Sequence, residues 1–286
     1  MLALTMTRDD DWMVRRWVAH YGRHVGFDNL LVIDDGSTDG STDDLPCPVL
    51  RIPGLRAPYA FNRARLGLVN KLAAGLLETY DAVVFTDVDE MLVPDPAVHP
   101  DLVSYLVARP DDAALAPVAY NVVHHVGHEP PLREGEPVLA QRSLAVFAPV
   151  MCKPSVKREP VRWAGATHGL AQPYRVDPEL MMFHLKWADL DHVRMSASRR
   201  NALVREESRG QGSTWRLAAE EHVGMVTRLT AGVDPSSVPE LDPTLVDVDA
   251  LVEEHEKIYR APKAGQTAIM TKGSLLRIPA RLGGSA

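Results

Sequence analysis

The chain has 286 residues, 45% of them hydrophobic and 24% charged, with a formal net charge of −7 and two cysteines. That length holds one large α/β domain, or a domain with a subdomain. The acidic balance argues against a dedicated nucleic-acid binder. Cys47 and Cys152 lack ligand-like spacing and are too few for a disulfide framework, and no apolar run of about 18 residues exists to span a membrane.

Residues 1–6, MLALTM, read as a short buried strand. They meet TRDDD without a basic segment before them, unlike a secretory signal, so the expectation is a cytoplasmic protein with reduced thiols. Asp9 to His24 reads as a helix, with acids in its first turn and Met13, Trp17 and Tyr21 at every fourth position. Asn29 to Asp34 is a second strand, broken by Gly36 and Gly40 among turn formers. Cys47 to Ile52 is a third. Asn62 to Thr79 is helical in pattern, with Leu66, Val69, Leu72, Ala73 and Leu76 on one side. Asp81 to Thr86, DAVVFT, is a fourth strand, apolar as a parallel strand covered on both faces is.

Strands alternating with helices predict crossover units and a mostly parallel sheet flanked by helices, an α/β fold. Ligands of such sheets bind beyond the carboxyl ends of the strands. DDGSTD and DVDE both stand at such ends, so they should share one crevice. Beyond Pro94 the pattern gives a short helix over Leu102 to Ala108 and a strand over Ala113 to Val122. HHVGHEPPLREGEP, from His124 to Pro137, reads as a loop or lid. Residues 138–185 hold short strand-like pieces punctuated by Lys153, Lys157, Arg158 and Arg162. Helices follow over Asp189 to Arg209 and Leu217 to Leu229, with a last one over Thr244 to Arg260. There is no internal repeat and no low-complexity tract.

Three carboxylates within four positions at the end of a buried strand need a positive partner. On an extended backbone, side chains at i and i+2 share a face, so Asp87 and Asp89 would point the same way while Val88 enters the core. Such a pair suits Mn²⁺ or Mg²⁺, which keep positions open for phosphate oxygens. The alternative is a solvated acidic turn that caps the next helix.

Trp17-Val18-Ala19-His20 on the first helix, Asp34-Asp35-Gly36-Ser37-Thr38-Asp39-Gly40, and Asp87-Val88-Asp89-Glu90 with Pro94 together resemble family 2-like glycosyltransferases of the GT-A fold. The likeness is specific over about residues 1–96 and looser to about 187, through QRS, CKP, GATHG and FHLKW. It implies a GT-A-like catalytic domain over 1–210, with a nucleotide-sugar half over about 1–96 and an acceptor half over about 97–187. A helical extension would fill 211–286. It also implies a metal-dependent, inverting transfer of a sugar from a UDP- or GDP-linked donor to a saccharide, lipid-linked or small-molecule acceptor. One departure stands out: Arg8-Asp9-Asp10 occupies the place where relatives often carry Asn-Glu or Asp-Glu, which leaves Asp9 and Asp10 without an inherited role.

By the resemblance, Asp34 or Asp35 would bond the donor nucleoside, Asp87 would serve donor and metal, and Asp89 would be the firmest metal contact. Turn formation is the alternative for Asp34 and Asp35. Relatives often place donor-binding groups where Arg63, Asn70 and Lys71 stand, although a solvated helix face explains each equally. A late histidine commonly completes the metal site; His184 in MMFHLKW, beside Lys186, is either that ligand or a core residue. His168, between glycines in GATHG, is open to three roles: base, ligand or turn residue. His124, His125 and His128 lack a fourth ligand spaced for zinc.

An inverting transferase needs a general base, and no acidic pair stands at 140–170, where Glu159 is the nearest acid. The Arg-rich 194–209 segment offers either a lipid-linked acceptor contact or a solvated face. Two other functions share these residues. A sugar nucleotidyltransferase uses a similar acidic site, although TMTRDDDW has no glycine for a triphosphate loop, and a non-catalytic carbohydrate-binding protein retains the same fold.

Overall fold

The computed structural model describes residues 1–55, 61–207, 214–263 and 268–286. The first half runs β1 (Leu2–Thr7), α1 (Asp11–Val25), β2 (Leu30–Asp34), β3 (Val49–Arg51), α2 (Phe61–Leu76), β4 (Val83–Phe85) and β5 (Glu90–Pro94). Then come α3 (Leu102–Val107), β6 (Ala114–Val123), α4 (Val138–Gln141), β7 (Leu144–Phe147), β8 (Val156–Lys157), β9 (Trp163–Ala164), β10 (Gly169–Leu170) and β11 (Arg175–Trp187). The chain closes with α5 (Leu190–Glu207), α6 (Ala219–Thr230), β12 (Glu253–His255), β13 (Ile258–Arg260) and β14 (Leu275–Arg277).

The fold is mixed α/β, with helices flanking a central sheet. Strands β1 to β4 are parallel: β1 sits between β2 and β4, and β3 extends β2. All six residues of β1 are buried; four are apolar, and the Thr5 hydroxyl donates to the Thr86 carbonyl at 2.8 Å. β8 joins this half to β6, β11 lies parallel to β6 and antiparallel to β5, and β7 and β14 complete the far edge. One sheet thus runs through both halves expected from the sequence. A second, antiparallel sheet has the order β12-β13-β10-β9.

Helix α1 ties the parallel strands to the acidic turn. Asp10 caps it, accepting from the Met13 N–H at 3.3 Å, and Asp11 with Arg23 and His24 complement its dipole at either end. Its buried stripe holds Met13, Val14, Trp17, Val18 and Tyr21. Trp17 Nε1 donates to Thr86 Oγ1 at 2.8 Å, and the Tyr21 hydroxyl donates to the Glu90 carbonyl at 3.1 Å. These two bonds grip the segment between β4 and β5 from both sides.

Several expectations are corrected. Asp87 to Asp89 is a tight turn and not extended strand: Glu90 N–H donates to the Asp87 carbonyl at 3.0 Å. The chain then re-enters the sheet as β5, a strand absent from the sequence-based expectation. The thirteen-residue β11 replaces one of the short pieces; Pro178 sits in a bulge between Asp177 and Met181. The helix expected over Thr244 to Arg260 is absent. Short 3₁₀ turns at Pro243–Leu245 and Asp249–Leu251 lead instead into the β12–β13 hairpin, turned by Glu256 and Lys257 at φ 50° and 62°. The end of the helix predicted to reach Arg209 lies outside the described residues. Among the described residues no helix is long and apolar enough to cross a membrane.

Candidate functional site

A cleft of about 900 Å³ opens at the carboxyl ends of the parallel strands. The end of β1 and the residues after it (Thr7 to Asp10), Asp35 after β2, and the Asp87–Glu90 turn after β4 line one side. Lys153, His168, His184 and Lys186 line another, and α5 contributes Arg199, Arg200 and Glu206. The two acidic motifs meet here because consecutive parallel strands end together.

The turn after β2 is built by its own aspartates. Asp34 accepts from the Ser37 N–H at 2.7 Å through Oδ1 and from the Thr42 hydroxyl at 2.6 Å through Oδ2. Burial opposes its charge, yet those donors hold the carboxyl below its usual range. Gly36 takes φ +77°, and a Cβ there would lie 3.0 Å from the Gly54 nitrogen. Asp34 is therefore committed to the turn and does not line the cleft. Asp35 does line it, with Oδ1 accepting from the Leu55 N–H at 2.6 Å.

Cations of the chain itself meet the acids of the DVDE turn. Asp87 is paired with Arg65 and stands 3.5 Å from Lys153 Nζ. Lys153 also lies 2.7 Å from Glu90, and it is 2% exposed against 1% for Glu90. Burial works against the Asp87 charge, but Arg65 and Lys153 outweigh it and hold the carboxyl low. For Lys153 burial is likewise outweighed, by Glu90 and Asp87, so the ammonium stays charged. Burial, with Asp87 and Asp89 nearby, pushes Glu90 upward despite Lys153.

Asp89 faces the other way. Its Oδ2 lies 3.4 Å from His184 Nε2 and 3.5 Å from an Arg200 nitrogen. Against burial, His184, Arg200 and Lys186 hold its carboxyl far below the usual range. Strand register places His184 beside Glu90 on β5 and Asn121 on β6, and His184 Nδ1 meets Asn121 Oδ1 at 2.7 Å. Asn121 holds Nδ1, so Nε2 is the ring nitrogen turned towards Asp89; a second bond of this kind is what orients imidazole metal ligands. Burial first, then Arg200, lowers the neighbouring Lys186 ammonium to about 7.

Of the three predicted metal ligands, Asp89 and His184 meet, whereas Asp87 is turned to Arg65 and Lys153. Among the described residues no group of three His, Cys, Asp or Glu side chains converges to hold an ion. One carboxylate oxygen and one imidazole nitrogen are a donor pair that fits Mn²⁺ or Mg²⁺, with substrate oxygens to complete the shell.

The other predicted residues divide sharply. Arg63 is exposed on α2 and outside the cleft; Arg65, two positions on, is the inward residue. Asn70 is buried, with Nδ2 donating to the Trp163 carbonyl at 3.1 Å and Oδ1 accepting from the Trp163 N–H at 2.8 Å. It clamps β9 to α2 and has no place in the cleft. His168 lines the cleft, its Nδ1 bonded to the Val150 carbonyl at 2.7 Å. Burial and Lys153 push that imidazole down to about 4.

Sequence reasoning missed Asp10, Arg65, Arg199 and Arg200 as residues of the cleft. The two arginines of α5 lie on the segment read as either a lipid-linked acceptor contact or a solvated face: Arg200 reaches Asp89, while Arg199 lies 3.9 Å from Asp10 and 3.7 Å from Asp39. Their adjacent positions in the sequence were the only signal.

No family model matches the sequence, and no curated protein does. Among solved structures, a CMP:2-keto-3-deoxy-manno-octonic acid synthetase complexed with CTP is similar over 56% of this chain, at 10% identity and a TM-score of 0.28; the chain spans 64% of that protein's length. A mannose-1-phosphate geranyltransferase from Thermus thermophilus is similar over 99% of this chain and 76% of its own, at 13% identity and a TM-score of 0.30.

Proposed function

We propose that the chain is a nucleotide-sugar-dependent transferase whose reaction is glycosyl transfer, from a UDP- or GDP-linked donor to an acceptor hydroxyl. The observation that carries this reading is the meeting of the Asp34–Gly40 and Asp87–Glu90 turns in one cation-lined cleft at the ends of β1, β2 and β4. The nucleoside would lie beside Asp35, the one acid of the DDGSTD turn that faces the cleft. The diphosphate would lie across Arg65, Lys186 and Arg200. Lys186 gains there the negative charge that restores its own, because burial is what depresses it.

Asp89 and His184 would hold Mn²⁺ or Mg²⁺, which supplies neutralisation of the charge that develops on the diphosphate as the glycosidic bond breaks. Asn121 keeps the His184 ring in the orientation this needs. Lys153 and Arg65 keep the DVDE turn in shape by pairing with Asp87 and Glu90. Calorimetric titration with UDP and GDP, with and without Mn²⁺, tests the reading. Tight binding that needs the ion supports it; silence with both nucleotides leaves a carbohydrate-binding protein of this fold.

A sugar nucleotidyltransferase is the second reading. Arg8, Lys186 and Arg199 line the cleft besides the cations paired with the DVDE turn, a lining that would also suit a nucleoside triphosphate with its ion. Pyrophosphate released from a nucleoside triphosphate and a sugar 1-phosphate would favour it; nucleoside diphosphate released from a nucleotide sugar favours glycosyl transfer.

A further inference from the structure

We infer that Asp10 is the general base of this cleft, the carboxylate that takes the proton of the attacking acceptor hydroxyl; the inference rests on the transferase reading above. Asp10 lines the cleft at the mouth of α1. Its Oδ1 accepts from the Met13 N–H at 3.3 Å and lies 3.9 Å from both His192 Nε2 and an Arg199 nitrogen. Its Oδ2 makes no hydrogen bond to any described residue. Trp12 stacks on His192 with ring centroids 4.3 Å apart, so the wall behind the carboxylate is fixed.

The other acids of the cleft are engaged. Asp9 Oδ1 accepts from the Thr38 N–H at 2.7 Å, and Asp35 from Leu55. Asp87 and Glu90 are paired with Arg65 and Lys153, and Asp89 with His184 and Arg200. Glu206 is exposed at the rim. His168 is held down near 4, too weak a base to draw a proton from a hydroxyl at neutral pH. Around Asp10 the balance goes the other way. Burial outweighs Arg199 and Arg200, Asp89 adds to it, and the carboxyl is lifted to about 6. The charged and titratable groups facing it are His192, Arg199 and Arg200 from α5 and Asp89 from the acidic turn.

In the step, the acceptor oxygen bonds to the anomeric carbon while its proton passes to Asp10 Oδ2. The bond from that carbon to the diphosphate oxygen breaks, and its electron pair leaves with the diphosphate. Asp10 then gives the proton to solvent. The capping role is separable from this one, because Asn and Ser also cap helices and neither takes a proton at neutral pH.

The test compares wild type with Asp10→Asn and Asp10→Ser. UDP or GDP release from UDP- and GDP-sugars is followed, with saccharides or water as acceptor, from about pH 5 to about pH 8. Wild-type kcat should fall as pH drops through about 6. Both variants should melt at the wild-type temperature, keep the donor KM, lose roughly 10²–10⁴-fold in kcat and lack the acidic limb. A variant with wild-type kcat, or one that keeps that limb, overturns the inference. Carbon-13 NMR of the aspartate carboxyls gives a readout independent of turnover: one resonance should titrate near 6 in wild type and be missing from Asp10→Asn. Its absence from wild type overturns the inference. A wild type that releases no nucleotide from any donor overturns the transferase reading together with it, whereas equal turnover by wild type and Asp10→Asn overturns the base alone.

Discussion

Replacing Lys153 with methionine removes the cation that holds the acidic turn and leaves the volume nearly unchanged. Lys153 Nζ lies 2.7 Å from Glu90 and 3.5 Å from Asp87. At an effective dielectric near 20, these separations give gross attractions of about 6 and about 5 kcal/mol. Desolvation of buried Lys153 and Glu90, with Asp87 half-buried, offsets most of that sum. What the substitution exposes is the orphaned Glu90 carboxylate, and breaking a buried pair from one side costs about 3–5 kcal/mol. At about 2–4 °C per kcal/mol for a large domain, Tm should fall by roughly 6–20 °C. Adding Glu90→Gln removes the orphaned charge, and the amide oxygen can still accept from the Asp87 N–H, now at 3.0 Å. The double variant should therefore recover more than half of the loss. Urea unfolding of wild type, single and double variants measures both. A Lys153→Met protein within about 1 kcal/mol of wild type, or a double variant no more stable than the single one, refutes the reasoning.

Asp89→Asn should keep the fold at a lowered melting temperature, because His184 and Arg200 lose their anion, and abolish both transfer and nucleotide-dependent Mn²⁺ binding; unchanged turnover at saturating donor would remove Asp89 from the metal site. Arg63→Ala should leave donor KM within about twofold, while Arg65→Ala raises it at least tenfold, since only Arg65 faces the cleft; equal effects would contradict the helix phase. Burial holds His20 and His192 near 3 and His24 near 4. The unfolded chain, with His near 6.5, then binds more protons than the folded one, and stability should be lost as pH falls from about 6.5 towards 4. Each fully buried imidazole contributes up to about 1.4 kcal/mol per pH unit in that window. His20→Gln should flatten the slope, and an unaltered urea midpoint at pH 4 would argue against it.

The parallel half of the fold was legible because strands covered on both faces are mostly apolar, as β1, β2 and β4 are apart from Thr5, Thr7 and Asp34. Their boundaries shift by one to two residues. β5 was hidden because it follows the acidic turn without a break in the sequence. β11 was fragmented by Pro178, which a bulge accommodates. The C-terminal helix failed for a different reason. Leu245, Val248, Leu251 and Val252 imitate a helical stripe, but Pro243, the β-branched valines and the positive φ of Glu256 and Lys257 favour turns and a hairpin.

For the site, local chemistry was readable and long-range pairing was not. The DDGSTD turn is written in neighbouring residues, so its place could be found, although which aspartate faces the ligand could not. Three acids at a buried strand end declare that cations are needed. They do not say which. Arg65 comes from 22 positions before Asp87, and Arg200 from 111 positions after Asp89. Arg63 and Arg65 differ by about 200° of helix phase, and the apolar side of α2 from Leu66 to Leu76 lies nearer Arg65 than Arg63. Asp10 shows the limit most clearly. The sequence shows it as one of several acids in a helix's first turn, and there it makes a cap bond. Its exposure to the cleft is created by α5, about 180 positions later in the chain, whose packing buries the carboxylate while its arginines stop short of hydrogen-bond distance.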